Sequence, residues 1–312
     1  MSEADERVKK KLRRELGVIS QYLDDPSVIE IMANPDGSVW VERMGQGIKN
    51  ENRIAPSAAR SIINTLSSFL DTATTIDSPI LEGELPLDGS RFEGLIPPCV
   101  VNPSFAIRKR ASKVFTLDQY VVDQIISPQQ RELIDRAISD RMNIIISGGT
   151  GSGKTTLTNA IIQGITQTHP ADRIVTIEDT YEIQCSAENA VQLHSTNVVS
   201  MQHLLKATMR LRPDRIIVGE VRGAEALALL KAWNTGHPGG CATLHANSPL
   251  GALTRLHHLT AEGVASSSHI PELIAEAVNV VIQIAKIPEG RKVTGICEVH
   301  SYDNDQYQLT EL

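Results

Sequence analysis

The chain has 312 residues, of which 41% are hydrophobic and 21% are charged, and this balance excludes a mostly disordered protein. At roughly 150 residues per domain, the length corresponds to about two domains. The formal net charge of −7 excludes a polycation that coats nucleic acid or anionic lipid through bulk charge. There is no apolar stretch long enough to cross a membrane, and the charged first 16 residues lack the apolar core of a secretory signal, so we expect neither export nor membrane spanning.

Four cysteines are scattered along the chain without the spacing of a zinc site, and we expect reduced thiols in a cytosolic protein. The first 16 residues combine charges with apolar residues at helical spacing, which predicts an amphipathic helix. Its apolar stripe belongs either to its own domain or, in the alternative, to a membrane surface.

The next segments predict a small α+β domain. Residues 28–42 read as two strands around the turn Pro35-Asp36-Gly37, a helix follows near 58–70, and short strands are expected at 91–96 and 104–108. We assign residues 1–115 to this N-terminal α+β domain and residues 116–128 to a linker.

From residue 129 onward the pattern predicts an α/β domain. A helix at 129–139 is followed by strands at 143–147, 173–178, 215–219, 240–245 and 278–284, and the first four strands alternate with helices. This alternation predicts a mainly parallel sheet with helices on both faces, extending over residues 129–312.

A phosphate-binding loop decides the chemistry of this second domain. The pattern G-x-x-x-x-G-K-[ST] follows an apolar strand and opens a helix, where backbone N–H groups and the helix N-terminus bind phosphate oxygens. Lys154 is expected to reach the outer phosphates of ATP and Thr155 to bind Mg²⁺. The nucleotide-binding residues are therefore predicted to be Gly148, Gly149, Thr150, Gly151, Ser152, Gly153, Lys154, Thr155 and Thr156.

Candidate catalytic residues follow the neighbouring strands. Glu220 ends the apolar run 216–219, where α/β proteins place groups that face the ligand, and we assign it to polarisation of the attacking water, although Gly219 stands where an Asp is usual. Glu178, with Asp179 and Glu182 close behind, is expected to act on water or Mg²⁺; the alternative is a turn-forming role. His245 is expected to contact the γ-phosphate, and His237 is a second candidate for the same role. Basic residues on strand-like pieces of the first domain could reach the nucleotide as arginine fingers or only form surface ion pairs. They are Arg91 and Arg108, with Lys109 and Arg110.

Taken together and in this order, the motifs resemble those of the type II/IV secretion and pilus ATPases. The motifs are the loop 148–155, the box Ile177-Glu178-Asp179, the strand 215–223 and the box from Thr235-Gly236-His237 to Leu244-His245-Ala246. In the first domain, the segments that most resemble the conjugative-transfer ATPases of the type IV secretion branch are 34–42, 88–92 with Pro97-Pro98, and 107–109. The tetracysteine zinc insertion of type II secretion ATPases is absent from the sequence.

The resemblance implies a PAS-like N-terminal domain, a RecA-like ATPase domain and a homohexamer with ATP between the domains. It implies catalytic roles for Glu220, Glu178 and His245, and for Arg91 and Arg108 as arginines offered by the N-terminal domain. The implied partners are inner-membrane and cytoplasmic components of a secretion or conjugation apparatus, with the protein cytoplasmic and peripheral at the inner membrane; we expect no sequence-specific binding of nucleic acid.

Two alternatives stay open at this point. The first is an assembly or retraction ATPase of a type IV pilus or type II secretion system. The second is a RecA-like nucleic-acid translocase or helicase, which the acidic net charge and the 11 aromatic residues disfavour. A GTPase is disfavoured because the sequence lacks the N-K-x-D guanine motif.

Overall fold

A computed structural model describes residues 3–110, 114–196, 198–262 and 269–311. The chain divides into two compact units, Met1–Ser112 and Lys113–Leu312, called here the N-terminal unit and the C-terminal unit. Within the described residues no helix is both long and apolar enough to cross a membrane. All four cysteines are free thiols; Cys241 and Cys297 are buried, and Cys99 is exposed.

The N-terminal unit is a six-stranded antiparallel sheet with helices, in the strand order β3-β2-β1-β6-β5-β4. A short 3₁₀ turn, Gly17–Ile19, separates the first two helices. The elements in chain order are α1 (Glu3–Leu16), α2 (Ser20–Asp24), β1 (Val28–Ala33), β2 (Ser38–Arg43), β3 (Gly47–Arg53), α3 (Pro56–Phe69), β4 (Ile80–Glu84), β5 (Arg91–Leu95) and β6 (Ser104–Arg108).

Local chemistry explains the predicted elements of this unit. The β1–β2 hairpin is confirmed, and Asp36 in its turn accepts hydrogen bonds from the backbone N–H and hydroxyl of Ser38. The helix α1 buries Leu12 and Leu16 in the same apolar core as Ile62 of α3. Its apolar stripe therefore belongs to its own unit, as the first of the two interpretations holds.

The C-terminal unit contains an eight-stranded sheet in the order β14-β13-β12-β7-β11-β10-β8-β9. The six strands from β12 to β9 are parallel, and β13 and β14 extend the sheet antiparallel. The elements are α4 (Leu117–Val122), α5 (Pro128–Ser139), β7 (Ile144–Ser147), α6 (Lys154–Thr168), β8 (Ile174–Glu178), β9 (Ala190–His194), α7 (Met201–Thr208), β10 (Arg215–Val218), α8 (Glu225–Asn234), β11 (Cys241–Leu244), α9 (Pro249–Ala261), α10 (Ile270–Ala277), β12 (Val280–Ile287), β13 (Gly290–Asp303) and β14 (Gln306–Glu311).

The sheet is covered on both faces, as predicted for this mixed α/β fold. Alternate residues of β7 enter different cores: Ile144 and Ile146 pack with residues of α5 and α6, whereas Ile145 packs with residues of α8, α9 and α10. Continuous apolar strands are typical of a parallel sheet buried in this way.

The assignment of residues 116–128 to a linker needs correction. This segment contains the helix α4, and its Leu117, Tyr120 and Ile126 are buried in the core that also holds α5 and α6. Burial removes these apolar side chains from water and stabilises the folded segment, whereas an exposed linker would leave them in solvent. The segment is therefore part of the C-terminal unit.

Candidate nucleotide site

The phosphate-binding loop joins β7 to α6 at the carboxyl edge of the parallel sheet. Gly151 and Gly153 adopt φ angles of +69° and +99°, which favour glycine, and α6 begins directly after them at Lys154. The buried Lys154 ammonium donates to the carbonyl oxygens of Gly148 and Gly149, both at 3.0 Å. The loop therefore curls around its own lysine beside the N-terminus of a helix, an arrangement suited to bind an anion.

Neighbouring strands bring Glu220 and His245 to the same edge. Because β11 lies between β7 and β10, the residues after these strands are adjacent. The His245 Nε2 lies 3.1 Å from Glu220 Oε1, and the Lys154 Nζ lies 3.4 Å from both ring nitrogens of His245. Three of the predicted site residues are thus in contact with one another.

Charge and burial set the protonation of this group. Burial raises the pKa of Glu220, but the hydrogen bond and charge of Arg222, with the charges of His245 and Lys154, bring it below its usual value. Burial, followed by the Lys154 cation, lowers the pKa of His245. At neutral pH Glu220 is therefore ionised and His245 neutral, and the tautomer that can donate to Glu220 is the one with its proton on Nε2.

Glu178 is buried and binds the backbone of the loop that follows β8. Its Oε1 accepts the backbone N–H groups of Glu182 at 2.9 Å and Ile183 at 2.8 Å, and its Oε2 has no hydrogen-bond partner in the described part of the chain. Burial is the largest effect and raises the pKa of Glu178 to about 7. Its side chain also explains Gly219, since a Cβ at that position would lie 2.9 Å from Glu178 Cγ.

The carboxylate that contacts Thr155 is Glu182. The Thr155 hydroxyl donates to Glu182 Oε2 at 3.1 Å, and Asn159 fixes the same loop by accepting from the backbone N–H of Gln184. Among the described residues there is no cluster of three or more histidine, cysteine or acidic side chains that could hold a metal by itself. A hydroxyl beside one carboxylate instead suits Mg²⁺, which is held in nucleotide sites by one or two protein groups together with phosphate and water.

A cavity of about 430 Å³ opens beside these residues. It is lined by Thr150, Glu220, Val221, Arg222, His245 and Arg255. Its lining places loop, carboxylate and imidazole groups around one space, with two guanidinium groups that favour an anionic ligand.

Neither of the two arginines of this lining is among the predicted site residues. Arg222 donates to Glu220 Oε2 at 2.7 Å and to Asp179 Oδ2 at 2.6 Å, so it links the ends of β10 and β8. Its position two residues after Glu220 could have identified Arg222 as a site residue from the sequence alone. Arg255 comes from α9, ten residues after His245, and only the tertiary fold brings it to the cavity.

The structure does not place His237 at this site. Its Nδ1 lies 2.9 Å from the carbonyl oxygen of Pro213, which precedes β10, so His237 lies at the amino edge of the sheet, opposite the phosphate-binding loop. The expectation of a phosphate contact from His237 is therefore wrong. A residue that precedes a parallel strand cannot share the edge at which the strand ends.

Two candidate arginines of the first domain, Arg91 and Arg108, lie on paired strands. Arg91 and Arg108 are directly opposite each other in the β5–β6 register, so their side chains leave the same face of the sheet. Arg108 pairs with Glu30 at 3.3 Å, Lys109 donates to the carbonyl oxygen of Asp25 at 2.6 Å, and Arg110 pairs with Glu84 at 2.8 Å.

Comparison with known proteins gives the family. Residues 13–310 match the family described as type II/IV secretion system protein. The chain belongs to this family. It is 51% identical over 303 residues to the conjugal transfer protein TrbB of Rhizobium radiobacter, with 97% of this chain and 93% of the relative covered.

Solved structures agree with this assignment. The VirB11 ATPase from the Brucella suis type IV secretion system, in complex with sulphate, is 26% identical with a TM-score of 0.50, and covers 95% of this chain and 97% of its own. The pilus retraction motor PilT with bound ADP is 20% identical with a TM-score of 0.64, and covers 95% of this chain and 82% of its own, a likeness of fold alone. The resemblance to secretion ATPases seen in the sequence motifs is confirmed at the level of the family.

Proposed function

We propose that this protein is an ATPase that powers a conjugative type IV secretion apparatus. The observation that carries the proposal is the contact chain from Lys154 through His245 to Glu220 at the mouth of the phosphate-binding loop. This chain combines a phosphate-binding cation, a hydrogen-bonding imidazole and an ionised carboxylate around one cavity. The conjugal transfer role of the 51% identical relative supports the choice of apparatus.

Each residue then has a defined task in ATP hydrolysis. Residues 148–156 bind the phosphates, and Lys154 exchanges its two loop carbonyls for phosphate oxygens. Glu220 accepts the proton of the water that attacks the γ-phosphorus, while the bond from that phosphorus to the bridging oxygen breaks and ADP and orthophosphate are released. His245 donates to a γ-phosphate oxygen, for which it must leave Glu220 Oε1.

A Mg²⁺ ion bound with ATP would supply positive charge to the phosphates. Thr155 is the residue that would hold it, and Glu182, whose carboxylate accepts from the Thr155 hydroxyl, would assist in place of the predicted Glu178. We assign Glu178 to positioning, since it holds the backbone of the loop that carries Glu182.

The wider architecture that we propose follows the family. The C-terminal unit would be the RecA-like ATPase domain and the N-terminal unit the PAS-like domain, which would offer Arg91 and Arg108 to the nucleotide. The active form would be a homohexamer, peripheral at the cytoplasmic side of the inner membrane and bound to components of the secretion apparatus.

Lys154→Ala tests the proposal. We expect this variant to lose ATP binding and hydrolysis and to abolish DNA transfer between cells, because no other group in the loop supplies the phosphate-binding cation. Lys206→Ala, which removes an exposed lysine of α7, is the control and should behave as the wild type. Normal transfer with Lys154→Ala would refute the motor function, and wild-type hydrolysis would refute the nucleotide site.

A further inference from the structure

Both oxygens of the Glu220 carboxylate are occupied in the structure. Oε2 accepts from the Arg222 guanidinium at 2.7 Å, and Oε1 faces the His245 Nε2 at 3.1 Å. A carboxylate that takes a proton from water needs a free lone pair held in a fixed direction. In the proposed mechanism His245 turns to the γ-phosphate, so the contact from Arg222 is the one that persists during catalysis.

The two contacts differ in strength. The bond from Arg222 is short and joins two full charges, whereas His245 is neutral at pH 7 because its pKa is lowered. Arg222 is also fixed on its other side, where it donates to Asp179 at 2.6 Å. His245 is thus the partner that can leave, and Arg222 is the partner that stays.

We propose that Arg222 is a positioning residue that holds Glu220 through Oε2 and so presents Oε1 to the attacking water. The inference rests on the proposed ATPase function and adds a role to it. Asp179 serves as the second anchor of the guanidinium, so that the ends of β8 and β10 share one rigid bridge. A planar guanidinium holds its donors in a rigid fork that fixes the direction of both carboxylates, whereas an ammonium on a flexible stem fixes neither.

The surroundings of Glu220 make the inference testable by pH. The charged and titratable groups that face it are Arg222 on its own segment, His245 after β11 and Lys154 at the start of α6; Arg255 of α9 lines the same cavity. Burial would raise the pKa of Glu220, and Arg222 is the strongest of the groups that lower it. Loss of Arg222 should therefore raise that pKa.

The experiment compares Arg222→Gln and Arg222→Lys with a control. Arg131 of α5 also bridges two carboxylates, Asp118 and Asp135, but does not line the cavity, so Arg131→Gln is the matched control. For each protein we would measure kcat and KM for ATP from about pH 5 to pH 9, since general-base catalysis falls where the base is protonated. In parallel, the carboxyl of Glu220 would be titrated by ¹³C NMR, which does not depend on turnover.

We expect Arg222→Gln to lower kcat by about 10- to 100-fold through misplacement of the carboxylate, with little change in KM. The acidic limb of its kcat–pH profile and the NMR titration of Glu220 should both move to higher pH. Arg222→Lys keeps the charge, so it should restore the pH dependence but only part of kcat. Arg131→Gln should match the wild type.

Two results would overturn the inference. One is an Arg222→Gln protein in which kcat and the titration of Glu220 are those of the wild type. The other is a loss in KM alone, which would make Arg222 a nucleotide ligand. A wild-type protein that does not hydrolyse ATP would contradict the proposed function instead, and the NMR titration would still show whether Arg222 controls Glu220.

Discussion

The buried carboxylate of Glu178 gives a quantitative prediction for stability. Its pKa of about 7 lies above the usual 4.5, so the folded state holds this proton more tightly than the unfolded state does. Below about pH 4.5 the Glu178 carboxyl is protonated in both the folded and the unfolded state, so its ionisation does not lower the free energy of unfolding. That free energy falls progressively as the pH rises to about 7. The difference between the two values corresponds to a loss of about 3 kcal/mol once the carboxyl is ionised in the folded protein.

Glu178→Gln removes this dependence, because its amide does not ionise and its oxygen can still accept from Glu182 and Ile183. In this variant the amide nitrogen takes the place of Oε2, which has no partner among the described residues, and lowers the free energy of unfolding by about 1–3 kcal/mol at every pH. The test is therefore how the free energy of unfolding changes with pH and not its absolute value. Urea unfolding would be followed by the fluorescence of Trp233, a buried residue of the C-terminal unit, in a Trp40→Phe background.

Between about pH 5 and pH 8, we expect the wild type to lose about 2–3 kcal/mol more than Glu178→Gln. Glu225, a less buried carboxylate that also accepts two backbone N–H groups, is the matched control, and Glu225→Gln should retain the wild-type slope. Parallel pH profiles for the wild type and Glu178→Gln would show that folding does not raise the pKa of Glu178.

Two further predictions concern charged residues outside the cavity. Asp172→Asn should lower the free energy of unfolding by about 3–5 kcal/mol, because it leaves the fully buried Arg215 without the carboxylate that accepts from its Nε at 2.7 Å. Urea unfolding measures this loss, and a value below about 1 kcal/mol would contradict the prediction. Arg91→Ala and Arg108→Ala should bind ATP but hydrolyse it slowly if these arginines reach the nucleotide, as steady-state kinetics would measure. Glu30→Gln breaks the same exposed ion pair as Arg108→Ala, so equal losses in both variants would assign the effect to the ion pair instead.

The sequence pattern predicts a strand correctly where the burial of its own residues decides the structure. The runs that form β7, β10 and β11 are mostly apolar, as is typical of strands buried on both faces, and each is followed by residues of the site. Strand β3 was not predicted, because nearly all its residues are exposed and it is held by pairing with β2. Strands β4, β9, β13 and β14 were also not predicted.

The site shows the same division. The phosphate-binding loop and Glu220 follow from position along a strand, whereas the contact between Thr155 and Glu182 depends on a loop folded back over Glu178 and tied to Asn159. No local spacing encodes such a contact. Arg255 reaches the cavity for the same reason, through the packing of α9 on the sheet.

Hydrolysis by Glu220→Gln tests the proposed catalytic site most directly. The substitution keeps the shape of the side chain and removes the proton acceptor, while Lys154 and the phosphate-binding loop stay intact. We predict ATP affinity close to that of the wild type, measured by calorimetry, and hydrolysis reduced by about 10²- to 10⁴-fold, the usual contribution of a general base. Hydrolysis at the wild-type rate by Glu220→Gln would contradict the assignment of Glu220 and the mechanism built on it.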